Sequence, residues 1–136
     1  MSAQENKEVL LRLVEEFNRG NLAIVDEVFS PNVPIISPSS DWTFPKGLEG
    51  ARIMINAMRD AGVEMKIEDI MAEDDKVAVR WTLSGIYRGD PKPGYPEPGQ
   101  KMTYGSIAFY RVVNGKIEVD WGVDVMSPTN DPWKSS

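Results

Sequence analysis

The chain has 136 residues, 41% of them apolar and 26% charged, and carries a net charge of −6. These values suit one domain closing a single core, and the acidic balance disfavours binding to phosphate backbones, which needs clustered Lys and Arg. With no Cys and no His, disulfides, thiolate sites and imidazole-bound catalytic zinc are excluded, and proton transfer falls to Asp, Glu, Tyr or Lys.

From Ser2 to Asn18, the apolar residues Val9, Leu10, Leu13, Val14 and Phe17 recur at helical spacing, with Ser2 and Glu5 placed for a capping box. After Arg19-Gly20, Asn21 is positioned to cap a short second helix carrying Leu22, Val25, Val28 and Phe29, stopped by Ser30-Pro31. Val33-Pro34-Ile35-Ile36 reads as an extended edge segment because Pro34 cannot serve a central strand. A polar loop from Ser37 to Lys46 comes next and holds Asp41-Trp42. Leu48 to Ala61 reads as a third helix with Ile53, Met54, Ala57 and Met58 in one stripe and Gly62 as its stop.

The period then changes to alternation. Strands are expected over Val63–Glu73, Val77–Tyr87, Lys101–Val113 and Lys116–Met126, with turns at Asp74-Asp75 and Asn114-Gly115. Four prolines between Asp90 and Gly99 make that segment a stiff connecting loop. Helices followed by an antiparallel meander predict an α+β domain with helices on one face of the sheet, and long curled strands leave a concavity. The domain is expected over 1–126, with a polar tail at 127–136. The polar N-terminus lacks the marks of a secretory signal, and no apolar run is long enough to span a bilayer, so a cytoplasmic chain with no membrane or nucleic-acid partner is expected.

Several segments, in order, resemble the SnoaL-like polyketide cyclase group of the NTF2-like superfamily, over roughly Lys7 to Met126. They are Phe17-Asn18-Arg19-Gly20-Asn21-Leu22 and Gly47-Leu48-Glu49-Gly50, the hairpin from Ile70 to Gly85, and Phe109 to Ile117 with Trp121. The resemblance implies a cone-shaped NTF2-like α+β barrel around one apolar pocket. It also implies cofactor-free ring closure in which an acidic side chain handles the protons. Family members commonly carry His one residue before the terminal-strand Trp and Asp four residues after it, where this chain has Asp120 and Val125, with Asp124 one residue early. Two further His positions correspond to Ala108 and Ile36.

Asp120 and Asp124 share one strand face. They read either as a paired carboxylate site, in which burial raises one pKa, or as solvated groups, because Val119, Trp121, Val123 and Val125 form the apolar set that normally faces inward. A bulge near Gly122 would re-aim the residues after it. Tyr104 shares a face with Ser106, Ala108 and Tyr110, which suits either a pocket lining with Tyr104 as hydrogen-bond donor or packing between two copies. Arg80 either neutralises a ligand anion or pairs with an acid of a neighbouring strand. Trp81 and Trp121 are core or pocket wall. Trp42, with Asp41, either covers a ligand or anchors its loop.

The expected catalytic set is therefore Asp124, Asp120 and Tyr104, and the expected binding set is Trp42, Asp41, Arg80, Trp81, Ala108 and Trp121, with no metal and no cofactor. The expected activity is a cofactor-independent cyclase, isomerase or lyase acting on a mostly apolar oxygenated molecule such as a polyketide intermediate, in a homodimer joined through the sheet. The alternatives are a non-catalytic binding or dimerisation domain and a cofactor-free epoxide hydrolase. The latter needs an Asp where Thr82 stands.

Overall fold

The computed structural model describes residues 2–39, 43–91 and 93–125; Asp41, Trp42 and the expected tail at 127–136 lie outside them. Helix α1 (Ala3–Asn18) begins with the expected capping box, Ser2 and Glu5 exchanging two hydrogen bonds of 3.1 Å, and buries Leu10, Leu13, Val14 and Phe17. Helix α2 (Ile24–Val28) is shorter than expected and has no side-chain cap. Asn21 instead donates its amide to the Glu16 carboxylate at 2.8 Å, tying the turn to the end of α1. Strand β1 (Ile35–Ile36) is the edge segment anticipated from Pro34.

Helix α3 (Leu48–Asp60) turns Met54, Ala57 and Met58 of the expected stripe inward, with Ala51 and Ile55 at its centre in place of Ile53. Ala51 and Ile55 are buried and Met54 and Met58 are half-buried, whereas Ile53 is exposed. Its entry explains the Gly47-Leu48-Glu49-Gly50 motif. Gly47 sits at φ +92°, which disfavours a side chain, and a Cβ on Gly50 would fall 1.8 Å from the Pro45 carbonyl oxygen. The loop thus crosses the helix at backbone contact distance.

Strands β2 (Glu64–Glu73), β3 (Lys76–Ile86), β4 (Lys101–Val113) and β5 (Lys116–Val125) form an antiparallel meander, and β1 adds to it in parallel beside β5, giving the order β1-β5-β4-β3-β2. The helices pack on one face, as an α+β domain requires. There Phe17, Ile24, Phe29 and Ile55 meet Val77, Val79, Val112 and Ile117 in the core. No helix among the described residues is long and apolar enough to cross a membrane.

The open edge of the sheet is β2, whose free backbone groups need partners. Asn18 supplies two at once: its amide nitrogen donates to the Met65 carbonyl at 2.8 Å, and its amide oxygen accepts from the Met65 N–H at 3.0 Å. One side chain thereby imitates a paired strand and fixes the end of α1 against the sheet. Replacing Asn18 with Ala strands both Met65 groups and is expected to cost about 1–3 kcal/mol, read as a lowered midpoint in urea denaturation. An unchanged midpoint would show the clamp to be dispensable.

Candidate active site

Simple alternation along β5 puts Val119, Trp121, Val123 and Val125 toward the helices. The structure reverses this. Arg111 pairs with Val119, but the next β4 residue, Val112, pairs with Ile117, which leaves Glu118 as an extra residue without a partner. Such a bulge flips the parity of every residue beyond it. Ile117 is fully buried on the inner face, and after Glu118 the inward positions become Asp120, Gly122 and Asp124. The bulge lies four residues before Gly122, the glycine that had suggested one.

These three residues line a cavity of about 1060 Å³ between the sheet and the helices. Strand pairing sets its inner rows: Tyr110 opposite Asp120, Ala108 opposite Gly122, and Ser106 opposite Asp124, continued on β3 by Val77, Val79 and Trp81. Four residues at 3.3 Å rise separate the two aspartate backbones by roughly 13 Å. Between them the floor is low. A Cβ on Gly122 would already press on the Ala108 Cβ at 3.3 Å, so the Ala108–Gly122 row is a shallow slot with a carboxylate at each end.

Each acid is held through its backbone. The Asp120 N–H donates to the Pro34 carbonyl at 3.1 Å, so the short parallel strand β1 anchors it. The Asp124 N–H donates to the Ser39 hydroxyl at 2.9 Å. Asp120 is only 8% exposed. Burial, and then the charge of Asp124, push its carboxyl up to about 7. Burial also raises Asp124, but a hydrogen bond from Ser106 opposes the rise; the same Ser106 hydroxyl lies 3.2 Å from the Val123 carbonyl. Both carboxyls are thus raised by burial, Asp120 to about 7, and on Asp124 the Ser106 hydrogen bond works against the rise.

Tyr104 is pushed up to about 12 by burial and by Asp124, so it remains a hydrogen-bond donor. Tyr110 is held well above its usual range, by burial first and by Asp120 second. It stands edge-on to Trp81, with ring centroids 6.5 Å apart. Among the described residues no three acidic side chains converge closely enough to hold a metal ion.

The structure brings together Asp120, Asp124, Tyr104, Trp81 and Ala108 on the cavity wall. Arg80 and Trp121 do not join them. Arg80 points to the outer face, where its Nε and a terminal nitrogen both lie 2.7 Å from an Asp69 oxygen; this is the cross-strand pairing of one of the two readings. Trp121, 37% exposed, packs edge-on against Phe109 on the same outer face because the bulge turned it away. Thr82 also faces outward and donates to Glu68 at 2.9 Å, so no substitution there would reach the cavity. Asp41 and Trp42 lie outside the described residues. Sequence reading marks Gly122 as a bulge site and not as cavity lining, and does not single out Ser39, Tyr87 or Arg88; all four line the cavity. A glycine between two same-face aspartates was the available signal for the first; the loop residues carried none.

A family model described as SnoaL-like polyketide cyclase matches residues 7–129. Among solved structures, AclR from Streptomyces galilaeus, a candidate hydroxylase, is 26% identical over 93% of this chain and 83% of its own, with a TM-score of 0.72. A candidate SnoaL-like polyketide cyclase from Jannaschia sp. CCS1 is 26% identical over 90% and 86%, with a TM-score of 0.69. A candidate polyketide cyclase from Acidithiobacillus ferrooxidans has the same fold at 21% identity, covering 91% of each chain with a TM-score of 0.71. No curated protein matches the sequence.

The raised Asp120 carboxyl makes stability depend on pH. Its ordinary value is 3.8 and its folded value about 7, so within that window the folded chain keeps a proton that the unfolded chain releases. Stability therefore falls as pH rises from about 4 through about 7, by an amount on the order of 4 kcal/mol, and Asp124 adds to the slope in the same direction. Asp120→Asn should flatten the profile and exceed the wild type in stability above neutral pH, as measured by urea midpoints across the range. A wild-type midpoint that rises with pH would return Asp120 to the ordinary carboxylate range.

Proposed function

Because the chain belongs to the SnoaL-like polyketide cyclase family, we propose that it is a cofactor-independent enzyme that enolises and cyclises, or isomerises, an apolar oxygenated small molecule of polyketide type. The observation that carries this reading is the pair of inward aspartates, both with carboxyls raised by burial, at the two ends of the Ala108–Gly122 slot.

Asp124, the readier of the two to lose its proton, is the base. It takes a proton from the carbon beside a ligand carbonyl, and the C–H electron pair moves into the enolate. Tyr104, protonated and next to Asp124, donates a hydrogen bond to the oxygen on which charge accumulates, where a fixed donor is most effective. For ring closure, the enolate carbon attacks a second carbonyl of the same molecule, forming a carbon–carbon bond, and the resulting alkoxide takes the proton of Asp120. Asp124 ends protonated and Asp120 ionised, and exchange with water restores both. The apolar walls, including Trp81 and Leu83, keep bulk water from quenching the enolate.

The outer face of the same sheet supports a homodimer. Strand register aligns Met71, Ala78, Phe109 and Trp121 in one row across four strands, and Met71 (69%), Phe109 (50%) and Trp121 (37%) are exposed. An apolar row of this kind is best covered by a second copy. Phe109→Asp should then convert a two-chain mass in light scattering to a one-chain mass; a one-chain mass for the wild type would sink the dimer.

Catalysis is tested by proton–deuterium exchange and product mass on a panel of polyketide-like diketones in heavy water. Wild type should exchange the activated C–H and change the diketone's connectivity. Asp124→Asn should slow this by about 10²–10⁴-fold, and Tyr104→Phe by about 10²–10³-fold. Diketones bound without exchange, and equally well by the wild type and the Asp124→Asn protein, would make the chain a binding domain instead.

A further inference from the structure

The cavity is electrically lopsided. Its charged lining residues, among those described, are Asp60, Asp120, Asp124 and Arg88. Among the described lining residues no cation stands beside the two inner acids, so an anionic group pushed to that depth would meet like charge in a poorly solvated place. Arg88 lies at the opposite end. It is two residues beyond the last residue of β3, Ile86, and Ile86 is five residues beyond Trp81, which shares a row with Asp124 through Ser106. That spacing puts the mouth roughly 16 Å or more from the Asp124 row.

Arg88 is displayed on an anchored segment. The Tyr87 N–H donates to the Gln100 carbonyl at 2.9 Å and the Gly99 N–H to the Tyr87 carbonyl at 2.8 Å, closing the base of the proline-rich loop. The Tyr87 hydroxyl donates to the Asp90 carbonyl at 2.5 Å, and the Tyr87 and Tyr95 rings lie 5.3 Å apart, both lining the cavity. Arg88 itself is exposed and forms no ion pair with a described residue. Among the described lining residues Asp60 is the acid nearest that rim, and exposed Asp90 follows two residues after Arg88. A guanidinium and two tyrosine rings lining one rim offer a carboxylate two parallel hydrogen bonds and a planar ligand a stacking surface.

We propose that Arg88, with Tyr87 and Tyr95, forms a mouth subsite for an ionised carboxylate on a planar ligand, so that the substrate is an acid that enters neutral end first and leaves its carboxylate at the rim. This rests on the reading of the cavity as a substrate pocket and narrows its substrate to an acid-bearing one. The charge distribution fixes the direction of entry: the anion is stabilised at the mouth and repelled at the depth of Asp124.

The test uses anthraquinone-2-carboxylate, its methyl ester and unsubstituted anthraquinone as probes, with binding read from quenching of tryptophan fluorescence in the whole chain. Wild type should bind the carboxylate about fivefold more tightly than the ester, the range of an exposed charge-assisted pair, and the margin should shrink with added salt. Arg88→Gln should erase the preference and Arg88→Glu should reverse it. Both variants lie in an exposed loop, and a melting curve beside the wild type's confirms that they fold. Equal binding of acid and ester by the wild type would overturn the subsite while leaving the acid–base chemistry standing. A preference that survives Arg88→Gln would remove Arg88 from it. Failure of all three probes to bind would overturn both the subsite and the pocket reading, whereas loss of diketone exchange alone bears only on the catalytic roles.

Discussion

Glu118 has no partner across β4, and for that reason residues 119–124 of β5 face the opposite way from the one two-residue alternation dictates. Before the bulge, Ile117 packs into the core in the ordinary manner of a half-buried strand. After it, acids face the cavity and apolar residues face out. A strand that buries carboxylates and exposes tryptophan is a poor solution for stability by itself. It persists because the bulge is locked on both sides. Val112 and Ile117 are buried against the helices, and β1 pairs in parallel with Asp120 and Trp121 just beyond it.

That reversal is offset by concentrating the polar groups where their partners are. Backbone hydrogen bonds to the Pro34 carbonyl and the Ser39 hydroxyl hold the two aspartates at fixed depth, so anchoring does not consume their side chains, which are left to meet a ligand. Asp120 keeps its proton into the neutral range and avoids a buried charge, while Asp124 has Ser106 to offset its own burial. A destabilised carboxyl of this sort is the usual signature of a site under functional constraint. Elsewhere the chain follows the rules of local consistency closely, from the capping box at Ser2 to the Asn18 clamp on β2.

Much of this was legible in the residues. The period change after Gly62 separated helices from meander, the Asn114-Gly115 turn joined the last two strands, and Pro34 marked the edge. The same-face relation of Asp120 and Asp124 followed from their spacing alone. Their direction did not, because Ile117, Val119, Trp121, Val123 and Val125 form an unbroken alternating set, and nothing in its composition marks Glu118 as the residue that breaks it. Arg80 and Trp121 were candidates for the pocket on chemistry, and only the resolved faces of β3 and β5 put them outside. Arg88 was invisible for a different reason: between the end of β3 and the first proline of the loop no period runs, so its distance from the acids emerges only once the sheet is built.

The acid at position 120 also has a chemical logic. Where similar chains carry histidine one residue before this tryptophan, the group titrates near neutrality in its own right. An aspartate does so only if its surroundings raise it, and burial among Tyr110, the β1 backbone and the Asp124 charge pushes Asp120 up to about 7. The working range is recovered, but the charge is inverted. A proton-loaded imidazole is cationic and a proton-loaded carboxyl is neutral; once unloaded, the first is neutral and the second anionic. A pocket built on two carboxylates is therefore never positive at its depth, whichever of the two holds a proton. Any anionic part of a ligand is driven toward the other end, where Arg88 stands. The bulge that turned the acids inward thus sets the charge at the depth of the cavity, and on the proposed reading it also sets which end of a ligand enters first.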